Sequence, residues 1–375
     1  MKVNVKALRG ALKAINLIVE KRNTIPVLQH VLIQSTPAQM TLTGTDLDLQ
    51  VTKVVDLEEP GKNKALSICV DAATLASIAG KLPAEGIADI DRGEKGQVAI
   101  SCGRARFKLP TLPAEDLPLI PSPAWEAQWE QQGGELTAML HGVAFAASSE
   151  EARYYLNGVY LHVPADSECQ VAAATDGHRL ARFHVPVAEG AEAMPAIIVP
   201  TKAVKALMSI MDEESGEVGV SVSAGKFQFE VGQTMLLGKV IEGQFPDYTR
   251  VIPVGNKIDA WFEPAPLAEA VERVLTISMD KTRALALEFM SDRVVLTVNS
   301  PENGTATEEV PIDLTGDSVR IGFNGRYLLD VLAQLKGTGA DGVKARVLLN
   351  SHDEPTLWQQ SDEARATYVL MPMRV

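Results

Sequence analysis

PVLQHVLIQ (residues 26–34), YLNGVYLHV (155–163) and ALALEFM (284–290) each read as a β-strand, and each follows a run with helical spacing of apolar residues. The first such helix begins near Val5 and carries Leu8, Leu12, Ile15 and Val19 on one face. Its counterparts carry Leu136, Met139, Leu140 and Val143, then Leu267, Val271, Val274 and Leu275. A second helix follows a short strand each time: SICV then DAATLASIAGKL (67–82), AIIV then PTKAVKALMSIM (196–211), VRIGF then NGRYLLDVLAQL (319–335). Asp71 and Asn324 suit N-caps, and Pro200 suits a first helical turn. From Leu28 to Leu156, Thr45 to Thr175, Val70 to Val199 and Pro118 to Pro246 the separations are 128, 130, 129 and 128 residues. From Val159 to Leu285, Thr175 to Asn299 and Val199 to Phe323 they are 126, 124 and 124. Offsets this steady imply three copies of one domain.

The boundaries follow composition. Leu117–Glu135 holds three prolines and two adjacent glycines and reads as a linker, as does Val251–Lys257. The domains are therefore expected at 1–121, 122–254 and 255–375, each α+β with two helices packed on antiparallel sheets. Copies placed side by side favour an arc. Two arcs joined head to tail close a ring, which satisfies sheet edges that would otherwise pair at random.

The chain has 375 residues, 46% of them hydrophobic, enough for more than one core. No apolar run approaches a membrane span, and the N-terminus lacks the pattern of a signal peptide, so a cytoplasmic location is expected. Cys69, Cys102 and Cys169 have neither metal-ligand nor disulfide spacing. A net charge of −13 argues against a simple nucleic-acid binder. Yet Lys6, Arg9, Lys13, Lys21, Arg22, Lys202, Lys205, Arg273, Lys281, Arg283, Arg326 and Lys336 fall on or beside the helices, while acidic residues cluster elsewhere. They read either as a mildly basic lining or as ordinary solvated helix faces.

Three motifs carry possible chemistry. In ATDGHRLA (174–181), Asp176 near His178 could be an acid–base or metal pair of a hydrolase or nuclease, or simply a turn between strands. His184 brings no third ligand at metal spacing, and no GxSxG, HExxH, Walker or GxGxxG motif occurs, so neither metal nor cofactor is expected. EGQFPDYTRVIP (242–253) reads as a domain-closing loop. TYVLMPMRV (367–375) reads equally as core or as an adaptable Met-rich binding surface.

TLTGTDLDLQV (41–51), RYYLNGVYLHV (153–163), ATDGHRLA, FPDYTRVIP (245–253) and YVLMPMRV (368–375) together resemble the bacterial DNA polymerase sliding clamp family, the beta subunit of the replicative polymerase III holoenzyme. The resemblance spans all three repeats. It implies a non-catalytic processivity factor: a homodimeric six-domain ring that encircles duplex DNA without sequence preference. It also implies a pocket that takes short peptides built around Gln, Leu and Phe from the replicative polymerase catalytic subunit, the clamp loader, and translesion and repair polymerases. Carried over residue by residue, that pocket comprises Leu156, Thr175, Gly177, His178, Arg179, Leu180, Pro246, Arg250, Val251, Asn324, Tyr327, Val369, Met371, Pro372, Met373 and Arg374. Arg22, Arg153, Tyr154, Tyr155, Lys202 and Lys205 would face DNA, and Phe107, Leu109 and Ile277 the dimer contact. The chain departs from the family pattern at Ala73, Thr74 and Glu150, where DNA contacts are expected, at Thr276 of the interface and at Pro355 of the pocket rim.

Overall fold

The computed structural model describes residues 1–375 except 21, 95, 166, 215, 279–282 and 337–342. Lys21 and Lys281 of the basic set thus lie outside the described residues. Among the described residues six α-helices recur in pairs: α1 (Val5–Ile15), α2 (Ala72–Lys81), α3 (Gly133–Ala144), α4 (Thr201–Met211), α5 (Pro264–Val274) and α6 (Gly325–Leu335). Their starts have local causes. The side chain of Asn4 accepts from the Lys6 and Ala7 amides, Asp71 from Thr74, and Asn324 from Arg326 and Tyr327. Helix α1 buries Leu8, Leu12 and Ile15 as its spacing predicts, but it ends at Ile15, so Val19 lies beyond it.

The chain forms two compact units, Met1–Thr137 with Val187–Glu242, and Ala138–Pro186 with Gly243–Val375. Units and repeats do not coincide, because sheets run across the repeat boundaries. In the first unit an eight-stranded antiparallel sheet has the order Ser67–Asp71, His30–Ser35, Gln39–Thr45, Leu49–Asp56, Thr234–Lys239, Lys226–Val231, Glu217–Val222, Ala127–Gln132. The join between first and second repeat is the pairing of Leu49–Asp56 with Thr234–Lys239. A four-stranded sheet ends on the free edge Ala105–Pro110.

The second unit repeats the device. Its larger sheet includes, in order, Gly158–His162, Cys169–Thr175, Arg179–Pro186, Ala366–Leu370, Thr356–Gln359, Ala345–Leu349, Ile258–Phe262 and Asp313–Thr315. Here Arg179–Pro186 of the second repeat pairs with Ala366–Leu370 of the third. The smaller sheet runs from Gly304–Pro311 through Arg293–Ser300 and Ala284–Phe289 to Val319–Asn324.

Two local expectations are corrected. PVLQ and the stretch ending at Leu156 are not strand: Pro26–Gln29 forms a short helical turn, Glu151–Leu156 forms short helical turns kinked at Arg153, and the strands begin only at His30 and Gly158. Proline fixes φ at a value that suits a helical first turn. The second half of the expected linker, Ala127–Gln132, is a strand, with Ala127, Trp129 and Gln131 buried in strict alternation.

Candidate functional site

The turn in ATDGHRLA is built by its own side chains. Asp176 Oδ1 accepts from the amides of His178 (2.9 Å) and Arg179 (3.0 Å), while the Thr175 hydroxyl donates to the Arg179 carbonyl (2.6 Å) and accepts from the Gly177 amide (3.1 Å). TGTDLDL forms the same turn in the first repeat, with Asp46 accepting from Asp48 (3.0 Å) and Leu49 (2.7 Å) and Thr45 bonded to Leu49 and Leu47. The middle residue has positive φ in both, +87° at Gly177 and +81° at Leu47. The remaining Asp176 oxygen, Oδ2, takes the Arg179 Nε at 3.1 Å. Both oxygens of Asp176 therefore serve the turn, and His178 stacks on Tyr327 with centroids 6.3 Å apart. No group of metal ligands forms among the described residues. The pair that looked chemical is a structural turn.

What the turn positions is an apolar cleft in the second unit, of about 240 Å³, lined by Leu156, Thr175, Gly177, Arg179, Leu180, Pro246, Asp247, Tyr248, Val251, Val369 and Met371. Leu180 and Val369 face each other across the strand pairing that joins the second and third repeats. Both are buried, as is Leu156, whereas Val251 and Met371 are 45% and 40% exposed at the mouth. Such a floor with half-open apolar walls suits leucine or phenylalanine anchors.

Arg179 organises one end of it. Besides Asp176 it reaches Asp330 of α6 and the Phe145 carbonyl (2.6 Å), and its guanidinium lies 4.3 Å from the Tyr327 ring centre. Tyr327 thus supports the cleft through Arg179 without lining it, and Asn324 is occupied as the cap of α6. His178 gives its carbonyl to the Met371 amide (2.9 Å). Arg250 is exposed and paired with Asp247 at 2.9 Å. Pro372, Met373 and Arg374 line a separate concavity of about 580 Å³ with Arg320, Gly322, His352, Asp353 and Val375. Pro355 is half-buried and lines neither. Asp247 and Tyr248 also line the cleft, although the family resemblance did not include them in the pocket. FPDYTRV contained the signal: a tyrosine three residues after a buried phenylalanine, in a turn.

The residues expected to face DNA differ in how free they are. Arg22, Lys205 and Tyr154 are exposed, and Tyr155 packs edge-on to Tyr154. Arg153 is held in a fork by Glu150 (2.9 and 2.7 Å), and the guanidinium in turn keeps that carboxyl below the usual range. Lys202 is paired with Asp46 at 2.5 Å, Lys13 with Glu213, and Arg273 with Glu308 at 2.6 Å. Arg9 caps α2 by donating to the carbonyls of Ala79 (2.7 Å), Gly80 (3.1 Å) and Leu82. Much of the basic set is therefore compensated locally. Phe107 and Leu109 are half-buried on the edge strand Ala105–Pro110, and Ile277 is half-buried in the turn after α5, its carbonyl accepting from Asn303 (3.0 Å).

Comparison with known proteins agrees along the whole chain. Residues 1–121, 132–247 and 249–374 match the family models described as DNA polymerase III beta subunit, N-terminal, central and C-terminal domain. The chain is 39% identical over 384 residues to the beta sliding clamp of Caulobacter vibrioides, covering 100% of both. It is 34% identical over 373 residues to that of Pseudomonas aeruginosa, covering 99% of this chain and 98% of the relative. Among solved structures it is similar to a DnaN sliding clamp from Bartonella birtlesii bound to griselimycin, with TM-score 0.94 and 35% identity over 100% and 99% of the two chains. The sliding clamp of Caulobacter crescentus superposes with TM-score 0.90 and 37% identity over 100% and 99%.

Proposed function

Because the chain belongs to the DNA polymerase III beta-subunit family, the bacterial sliding clamps, we propose that it encircles duplex DNA as a homodimer and tethers the replicative polymerase through the apolar cleft. It is a processivity factor and not an enzyme. The observation that carries the tethering is the cleft itself, built where a strand of the second repeat pairs with the closing strand of the third. The clamp loader and the translesion and repair polymerases would use the same cleft, each inserting a short segment with Leu and Phe anchors. Arg250, Asn324, Tyr327, Pro372, Met373 and Arg374 would extend recognition beyond the floor.

Dimerisation is supported by two edge strands, Ala105–Pro110 and Gly304–Pro311, each an outer strand of a four-stranded sheet. Half-buried Phe107, Leu109 and Ile277 lie on or near those edges, and an unpaired edge with apolar side chains calls for a partner. Three domains at 1–121, 122–254 and 255–375 would then become six in the ring. Among the described residues no helix is long and apolar enough to cross a membrane, in keeping with action on DNA in the cytoplasm.

The DNA-facing role of the loop Glu150–Tyr155 makes a specific prediction. Glu150 occupies the Arg153 guanidinium that a phosphate would otherwise receive. Glu150→Gln is expected to tighten binding of a duplex oligonucleotide about threefold and to steepen the plot of log affinity against log salt by roughly 0.9. Fluorescence anisotropy over a salt series reads both, and an unchanged slope would remove Arg153 from the DNA surface. The function as a whole is tested by topology: a ring stays on closed circular DNA and runs off a linear end.

A further inference from the structure

We propose that His162 is a positioning residue for the peptide cleft, holding the ring of Tyr248 in place as one of its walls. This rests on the cleft being the peptide site. Strand alternation puts Tyr160 and His162 on one face of the sheet. Phe245 stacks on Tyr160 (4.8 Å, 5°), Tyr160 stacks on His162 (4.5 Å, 23°), and the His162 Nε2 lies 2.9 Å from the Tyr248 hydroxyl. Tyr248 closes the circuit edge-on against both Phe245 and His162. Of these four rings only Tyr248 lines the cleft. Its polar tip is therefore fixed by a residue that an incoming peptide does not meet.

The protons are consistent with this role. Burial first, and then the nearby Arg182, push His162 down to about 4, so its ring is neutral at physiological pH. Burial pushes the Tyr248 hydroxyl up, and the nearby positive charge of Arg182 opposes that. Either partner of the His162–Tyr248 bond can donate, the neutral imidazole through its ring N–H or the phenol through its hydroxyl. Tyr248 is thereby held at its hydroxyl by His162 and at its ring by Phe245 and His162, and a wall fixed before the ligand arrives loses less freedom on binding.

The test uses the full-length chain and a fluorescein-labelled peptide carrying Gln, Leu and Phe, with affinity read by anisotropy. His162→Ala is expected to weaken binding about tenfold, and His162→Gln, whose amide oxygen can accept the Tyr248 proton, to recover to within about threefold of the parent. Tyr248→Phe keeps the ring and removes only the hydroxyl, so it reads the bond even if His162→Ala fails to fold, and should weaken binding about threefold. Val251→Glu, at the exposed mouth, tests the underlying reading. If it leaves affinity intact, the cleft is not the peptide site. If it abolishes binding while His162→Ala and Tyr248→Phe bind like the parent, the cleft stands and the positioning role is overturned. Equal weakness of His162→Gln and His162→Ala also overturns it, since the imidazole would then only fill space.

Discussion

Removal of residues 371–375 is expected to weaken peptide binding about 100-fold while leaving the sheet of the second unit folded. The tail is held at two points, the first of them at the mouth of the cleft. Met371 lines its mouth and donates its amide to the His178 carbonyl, and Met373 donates to the Gly322 carbonyl at 2.9 Å. The last strand, Ala366–Leu370, is anchored independently by pairing on both sides with Arg179–Pro186 and Thr356–Gln359. Truncation thus strips a wall and leaves the strand. Gly322→Ala probes the same contact gently, because a β-carbon there would meet the Met373 carbonyl oxygen at 2.3 Å and Val375 at 2.5 Å. It should lift the tail and lose part of the affinity. Isothermal titration with the same labelled-motif peptide measures both, and parental affinity in the truncated chain would exclude the tail from the site.

Arg179→Ala is the second large effect, and it falls on stability as well as binding. The side chain is only 10% exposed and satisfies Asp176, itself 13% exposed, together with Asp330 and the Phe145 carbonyl. Removing it leaves a largely buried carboxylate short of a partner and strips the cation from the faces of Tyr327 and Phe145. A loss of about 3 kcal/mol is expected, since breaking one side of a buried pair strands the other charge. Arg179→Lys should recover little, because an ammonium cannot reach three acceptors and stack on an aromatic face at once. Urea denaturation of both variants reads this. A midpoint within error of the parent for Arg179→Ala would show that the network contributes nothing.

The fold was legible where the cause is local and repeated. The Thr-Asp turn in TGTDLDL and ATDGHRL, the capping residues Asp71 and Asn324, and the apolar face of α1 are each set by neighbours within a few residues. Recurrence of each feature in more than one repeat strengthened it. Legibility failed where the partner is distant in the chain. The pairing of Leu49–Asp56 with Thr234–Lys239 makes one sheet from two repeats, and no periodicity announces it. Lys13 pairs with Glu213 and Arg9 with the carbonyls that end α2, so residues that read as a free basic stripe are partly compensated.

The site divides in the same way. Leu156, Leu180 and Val369 could be assigned to a common floor through family resemblance, and they do converge. Tyr248 could not, because its place depends on His162, which lies 86 positions earlier in the chain. The spread of Pro372, Met373 and Arg374 into a second concavity follows from the Met373–Gly322 bond, which a strand pattern does not encode.

A ring holds DNA by encirclement, and linkage is the property to measure. The protein is loaded onto nicked circular plasmid with a clamp loader and ATP, isolated by gel filtration in high salt, and followed after cutting the plasmid at a single site. Retention on the circle and rapid loss from the cut DNA is the predicted result, because a ring with little direct affinity leaves only through an end. Equal retention on circular and linear DNA, or no retention on either, would contradict it.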